Sequence, residues 1–293
     1  MRINHLLGLL LLVVSNFALG KVIHQERSMY RNIIVEDSGN LRCLKFNVKS
    51  NKTNQSCFLK SEPNRLVFNY TKLLFSGMIV NPNPKRILII GLGGGTMSNT
   101  LHQLLPDAEI ENIEIDPAVI KVARQYFSFF ENDHVTSVVK DGRIYMKRAL
   151  IKKQKYDWII LDAFNGDYIP EHLMTKEFLE ETKALLSESG VVTANTFSVS
   201  ELYNYESATY QSVFGEFFQV KNRKNENRII LATKGQLPNQ EHLKGDLATL
   251  HDRLRPFGVN ILDVFKSFTK EQDWPENTPV LTDQFSPANL LNQ

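Results

Sequence analysis

Between residues 86 and 196 short apolar runs alternate with stretches whose apolar positions recur on a helical period. Ile87-Leu88-Ile89-Ile90 and Trp158-Ile159-Ile160-Leu161 are apolar throughout, the pattern of strands covered on both faces. The pattern predicts strands over 86–91, 109–116, 135–140, 156–162 and 191–196, with helices over 95–105, 117–130, 143–150 and 175–186 between them. Repeated strand–helix units of this length imply an α/β fold, a parallel sheet with helices on both faces. A helix over 203–213 then precedes strands over 217–222 and 228–233, which a polar turn separates; they predict an antiparallel hairpin at the sheet edge. Upstream the pattern changes. Strands over 32–36 and 41–48 flank the turn Asp37-Ser38-Gly39-Asn40, and 55–60 is a further strand-like stretch, so this part reads as a small β module. Residues 66–80 are apolar on a helical period, stopped by Asn81-Pro82-Asn83-Pro84.

The extreme N-terminus reads differently. Arg2 is followed by an apolar run over 6–14, broken only by Gly8, and then by the small-x-small pattern Ala18-Leu19-Gly20. This predicts a secretory signal over residues 1–20, with a periplasmic or secreted mature chain. The run is shorter than the roughly 20 residues of a membrane-spanning helix, which leaves an uncleaved anchor as the alternative. Export would make Cys43 and Cys57 candidates for a bridge across the β module; two unpaired buried thiols are the alternative. Asn51-Lys52-Thr53, Asn54-Gln55-Ser56 and Asn69-Tyr70-Thr71 match the glycosylation acceptor pattern, which matters only in a eukaryotic secretory pathway.

Composition narrows the classes. The chain has 293 residues, 42% hydrophobic and 23% charged, which excludes a disordered chain, a fibre or a disulfide-dense miniprotein. Lys+Arg 34 against Asp+Glu 32 leaves +2, so charge gives no sign of a nucleic-acid or membrane-surface partner. Function therefore has to be read from a local site.

Open α/β sheets bind ligands where strands end and helices begin. The first such turn is Gly91-Leu92-Gly93-Gly94-Gly95-Thr96, in which Gly91, Gly93 and Gly95 allow a ligand close to the backbone. Glu114 ends the next strand about 20 residues later, where a ribose diol would be gripped. Asp116-Pro117 reads as a helix cap followed by proline at the first helical position. Asp141-Gly142 ends the third strand, where a carboxylate could meet an adenine amino group or simply cap the next helix. Asp162 follows the fourth strand directly and points to the ligand crevice. No metal-ligand spacing stands out among the seven His, and Ser198 and Ser200 lack the glycines of a nucleophile elbow.

Over roughly residues 30–293 these features resemble the spermidine/spermine synthase family of polyamine aminopropyltransferases. The resemblance rests on Gln55-Ser56, the Pro82-Asn83-Pro84 lead into Arg86-Ile87-Leu88-Ile89-Ile90-Gly91, Glu114-Ile115-Asp116, Asp141-Gly142, Asp162 and the tail Leu281-Thr282-Asp283-Gln284-Phe285-Ser286-Pro287. Gly166, Ile169-Pro170 and His172-Leu173 are closest to the divergent spermidine synthase-like branch. The resemblance implies a Rossmann-like, methyltransferase-type sheet behind a small N-terminal β domain. With it come a division into a signal (1–20), a β module (21–65) and a transferase domain (66–293).

The implied cosubstrate is decarboxylated S-adenosylmethionine, with no tightly bound cofactor. Glu114 matches the ribose-binding acid, Asp141 and Gly142 the adenine contacts, Gln55 a nucleoside-contacting glutamine, and Asp162 the acid that activates the attacking amine. Three positions depart from the family: its glycine-loop acid is Gly94 here, the second acid of its Asp-x-x-Asp motif is Asn165, and its Tyr-Gln pair falls at Asn69-Tyr70. The nucleoside side is thus better preserved than the amine side. Partners implied are a small amine or polyamine and, compatibly, a second copy of the chain. Methyl transfer from S-adenosylmethionine stays open, as does a noncatalytic exported binding protein, because sulfonium nucleosides are not expected outside the cytoplasm.

Overall fold

The computed structural model describes residues 20–46, 54–164, 168–198, 202–221 and 227–286. Four strands open it: β1 (Lys21–Arg27), β2 (Asn32–Ser38), β3 (Leu41–Phe46) and β4 (Asn54–Leu59), an antiparallel sheet in the order β1-β2-β3-β4. Ser38 pairs with Leu41, so Gly39 and Asn40 form a two-residue hairpin turn, and Gly39 takes φ +57°. Cys43 faces Cys57 across β3 and β4 and the two are bridged. β1 was absent from the pattern reading. It is an edge strand with most side chains exposed or half-buried, so it carries no apolar face to detect.

Two short helices follow, α1 (Asn69–Leu74) and α2 (Gly77–Val80), where the periodicity implied one. The break lets Gly77 lie against Trp158, whose indole an added β-carbon would approach to 2.5 Å. The alternating region contains β5 (Arg86–Ile90), α3 (Thr96–Leu104), β6 (Glu109–Glu114), α4 (Pro117–Tyr126), β7 (Val135–Val139), α5 (Gly142–Ile151), β8 (Tyr156–Leu161), α6 (Lys176–Leu185), β9 (Leu186–Phe197), α7 (Leu202–Phe214), β10 (Phe218–Lys221) and β11 (Asn227–Thr233). Beyond it come α8 (Leu247–Leu254), α9 (Ile261–Lys266) and the two-residue β12 (Phe268–Thr269).

The large sheet has the order β12-β10-β11-β9-β8-β5-β6-β7. β9, β8, β5, β6 and β7 are parallel, and β11, β10 and β12 run antiparallel. The expected hairpin is therefore real, but β12 covers its outer strand and becomes the edge. The strands' period of two sorts the core. Ile87, Ile89, Trp158 and Ile160 enter one apolar layer; Leu88, Ile90, Ile159 and Leu161 enter the other. A third cluster joins Ile33, Val35, Leu44, Phe46 and Phe58 of the small sheet to Val119, Val122 and Phe127 at α4. This contact carries the β1–β2 turn over the C-terminal ends of β6 and β8. There Ser28 Oγ donates to Asp116, and an Arg31 Nη donates to the Phe164 carbonyl at 3.3 Å.

Candidate active site

A cavity of about 280 Å³ opens at the C-terminal ends of the parallel strands, beneath the β1–β2 turn and β4. Gln55, Gly91, Gly93, Glu114, Asp141, Gly142 and Asp162 all line it. Gly95, also expected there, does not. It starts α3 at φ +72° with its α-carbon against the Phe129 ring, so its role is to turn the chain into the helix.

The glycine turn is shaped by its neighbours. Gly91 has φ +99°, and a β-carbon on it would come 2.3 Å from the Asp162 carbonyl oxygen. No other residue fits that position without moving the strand end that bears Asp162. Gly94, where the family pattern has an acid, is pressed against β4. A β-carbon there would lie 2.6 Å from Ser56 Oγ and 3.0 Å from the Phe127 ring. The missing acid therefore has no room in this chain.

At the end of β6, Glu114 is buried and both its oxygens accept backbone N–H groups, Leu92 N at 3.1 Å and Asp116 N at 3.1 Å. It thus has a structural task that the sequence did not reveal: it closes the glycine turn onto β6. Burial raises its pKa against those two hydrogen bonds and the nearby Arg31 charge. A carboxylate has about four acceptor sites, so two remain for a ribose diol. Asp116 caps α4 as expected, accepting Ala118 N at 3.0 Å ahead of Pro117. Asp141 lines the cavity, and its Oδ1 accepts Ile144 N at 2.9 Å to cap α5. Its Oδ2 lies 2.8 Å from His172 Nε2, and that bond, first among several, holds its pKa below the usual carboxylate range.

Just beyond β8, Asp162 is partly buried, and desolvation pushes its pKa up to about 7 from 3.8, opposed by hydrogen bonds from Asn195 and Tyr70. Asn195 Nδ2 donates to Asp162 Oδ1 at 2.9 Å. Burial and the neighbouring Asp162 charge raise the Tyr70 hydroxyl in turn. The Asn69-Tyr70 departure thus still delivers a tyrosine to the acid. Asn165, which bears on another departure, lies outside the described residues.

Sequence reasoning missed four contributors. Asn195 stands out only as a buried amide in an apolar strand, His172 as a histidine beside Pro170, and Tyr70 as a misaligned match. Arg31 gave no signal. Its guanidinium lies 4.4 Å from the Phe46 ring centroid and its Nε 3.8 Å from Asp116, placing a cation in the cavity wall. Among the described residues, no three His, Cys, Asp or Glu converge as a metal-binding group.

Comparisons with known proteins agree with this geometry. Residues 68–223 match the spermine/spermidine synthase domain. The chain is 48% identical over 291 residues to a polyamine aminopropyltransferase of Vibrio vulnificus, covering 98% of this chain and 97% of that one. It is 35% identical over 170 residues to one from Chromobacterium violaceum, covering 58% of this chain and 63% of that one. In fold it is similar to a probable spermidine synthase from Corynebacterium glutamicum, with TM-score 0.66 and 21% identity over 82% of this chain and 89% of the other. Neither methyl transfer nor a noncatalytic role is favoured beside a near full-length relative of that kind.

The same match corrects the expectation of export. A chain aligned almost throughout with a polyamine aminopropyltransferase belongs with enzymes that draw on a sulfonium nucleoside, which is not expected outside the cytoplasm. Periplasmic or secreted placement is therefore withdrawn. The apolar run that suggested it, within residues 1–19, lies outside the described residues, and no described helix is long and apolar enough to cross a membrane. Fold, matched domain and near full-length similarity lead to one conclusion: this chain belongs to the spermine/spermidine synthase family.

Proposed function

We propose that this protein transfers the aminopropyl group of decarboxylated S-adenosylmethionine to the nitrogen of a small amine or polyamine. The observation that carries the reading is the opposition, across one cavity, of Glu114 and Asp141 to an acid, Asp162, whose pKa is poised near neutrality. Glu114 takes the ribose diol, the glycine turn lies against the nucleoside, and Asp141 with Gly142 meets the adenine. The β module, 21–65, roofs the site of the transferase domain, 66–293.

The amine lone pair attacks the propyl carbon bonded to the sulfonium. The new C–N bond forms as the C–S bond breaks, and its electron pair leaves on sulfur as neutral methylthioadenosine. The amine proton goes to Asp162. A free alkylammonium has a pKa of about 10.4, so passing its proton to an ordinary aspartate is uphill by about 9 kcal/mol. Raising the acceptor to about 7 reduces that to roughly 5 kcal/mol. Tyr70 and Asn195 hold the carboxylate while the reacting atoms are brought into line.

The test is release of methylthioadenosine from decarboxylated S-adenosylmethionine with a series of diamines, run beside S-adenosylmethionine as donor. Turnover with the decarboxylated donor and an amine is the expected result. Methyl transfer from S-adenosylmethionine with no methylthioadenosine released would overturn the reading.

A further inference from the structure

We propose that Asn195, supported by Asn227, is the positioning residue that aims the Asp162 carboxylate at the attacking amine. The inference rests on Asp162 being the base. β8 and β9 are parallel with Leu161 beside Ala194, so the next residues on each, Asp162 and Asn195, fall side by side, Asp162 at the cavity wall and Asn195 behind it. Asn195 is 4% exposed, so its amide has no water to satisfy it, and each end must find a protein partner. Its Nδ2 donates to Asp162 Oδ1 at 2.9 Å, and its Oδ1 accepts from Asn227 Nδ2 at 3.0 Å.

The order of this chain is fixed. If the Asn195 amide flipped, its carbonyl would face the carboxylate and its NH₂ would face the NH₂ of Asn227. The contact with an ionised carboxylate, which can only accept, would become repulsive, whereas Asn227 could flip in turn, so Asp162 itself sets the donating orientation and Asn227 supports it by donating to the Asn195 carbonyl. One Asp162 oxygen is thereby pinned, and the remaining lone pairs keep a constant direction for the substrate N–H. Asn227 opens β11, so the antiparallel part of the sheet, none of whose described residues lines the cavity, reaches the reaction through this pair of amides.

Other charged groups around Asp162 do not substitute. Tyr70 of α1 is the titratable group that also hydrogen-bonds it. Arg31, Glu114 and Lys140 line the same cavity, and the Asp141–His172 pair lies on its adenine side. On the other side of Asn195, Glu206 of α7 and Arg228 of β11 pair with each other at 3.4 Å.

The experiment compares full-length wild type with Asn195→Leu, Asn227→Ala and Asp162→Asn, reading kcat against pH, the amine KM and methylthioadenosine affinity. Asn195→Leu should lower kcat at least tenfold, as for loss of a hydrogen bond to a charged group. It should also move the acid limb of the kcat profile to higher pH, leaving KM within about threefold and nucleoside affinity within about twofold. Asn227→Ala, half-buried and further from the base, should repeat both changes at about threefold in kcat. It decides the question if Asn195→Leu does not fold. Wild-type kcat and an unmoved acid limb in the folded variants, with Asp162→Asn inactive, overturn this inference alone. A parallel loss of nucleoside affinity also overturns it, because the amides would then be merely structural. Wild-type turnover in Asp162→Asn overturns the base reading itself.

Discussion

The two sides of the cavity hold their carboxylates by different means. Glu114 and Asp141 are tied to backbone N–H groups, of Leu92 and Asp116 in one case and of Ile144 in the other, Asp141 with the His172 side chain as a further partner. Asp162 is held by side chains, Asn195 and Tyr70, which come from β9 and α1. Backbone donors are part of the fold and cost little to keep in place, which suits a surface that must recognise a rigid nucleoside. Burial raises the pKa of both Glu114 and Asp162, the latter to about 7, and the Asn195 and Tyr70 hydrogen bonds oppose that rise at Asp162. On the proposed function, one side serves affinity and the other reactivity.

The contrast is broken most severely at Asp162. Asp162→Asn keeps the shape and cannot accept a proton, so turnover should fall by roughly 10²–10⁴. Methylthioadenosine affinity by calorimetry should stay within a few-fold. Equal losses in both measurements would contradict the division of labour.

The same substitution sharpens the comparison through stability. The folded pKa of Asp162 lies above its ordinary 3.8, so between about pH 4 and pH 7 the folded state binds more protons than the unfolded state. Stability is therefore lost as pH rises through that window. Asp162→Asn should remove this penalty and stabilise the ligand-free protein at pH 8 by on the order of 2–4 kcal/mol, with little effect at pH 4. Urea denaturation at both values gives the check, and an equal effect at the two would refute the raised pKa.

On the opposite side, Glu114→Ala should weaken methylthioadenosine binding by about 1.5–3 kcal/mol. Because Glu114 also closes the glycine turn, it should lower Tm too, whereas Glu114→Gln should recover part of the Tm and little of the affinity. Full recovery of both would mean that charge is irrelevant there. The smallest effect is expected at His172, whose partner Asp141 is already held by Ile144 N. His172→Ala should change nucleoside affinity by only a few-fold, since its exposed ion pair is worth about 0–1 kcal/mol. A loss as large as that of Glu114→Ala would make His172 a primary ligand contact.

Much of the nucleoside side was legible in the chain because its parts interact locally. The apolar runs predicted β5 and β8, Asp116-Pro117 announced its cap, and Glu114 was found by its distance from the glycine turn. The sequence offered a Cys43–Cys57 bridge beside two unpaired thiols as the alternative, and the pairing of β3 with β4 brings the two together. The amine side was less legible: Asn195 lies 33 residues from the acid it serves, and the Arg31 contact with Phe164 spans 133. Nothing in the spacing of either residue marks it, since only the strand order brings them to the cavity.

The sequence by itself determined the alternation of strands and helices, the glycine turn and the acids at three strand ends. These depend on period, capping and φ, which act over a few residues. Tertiary structure alone decided which groups surround Asp162, how far burial raises its pKa, and why Gly94 has no room for an acid beside Ser56 and Phe127. Desolvation and steric exclusion depend on atoms packed from every direction, so they exist only once distant segments have met.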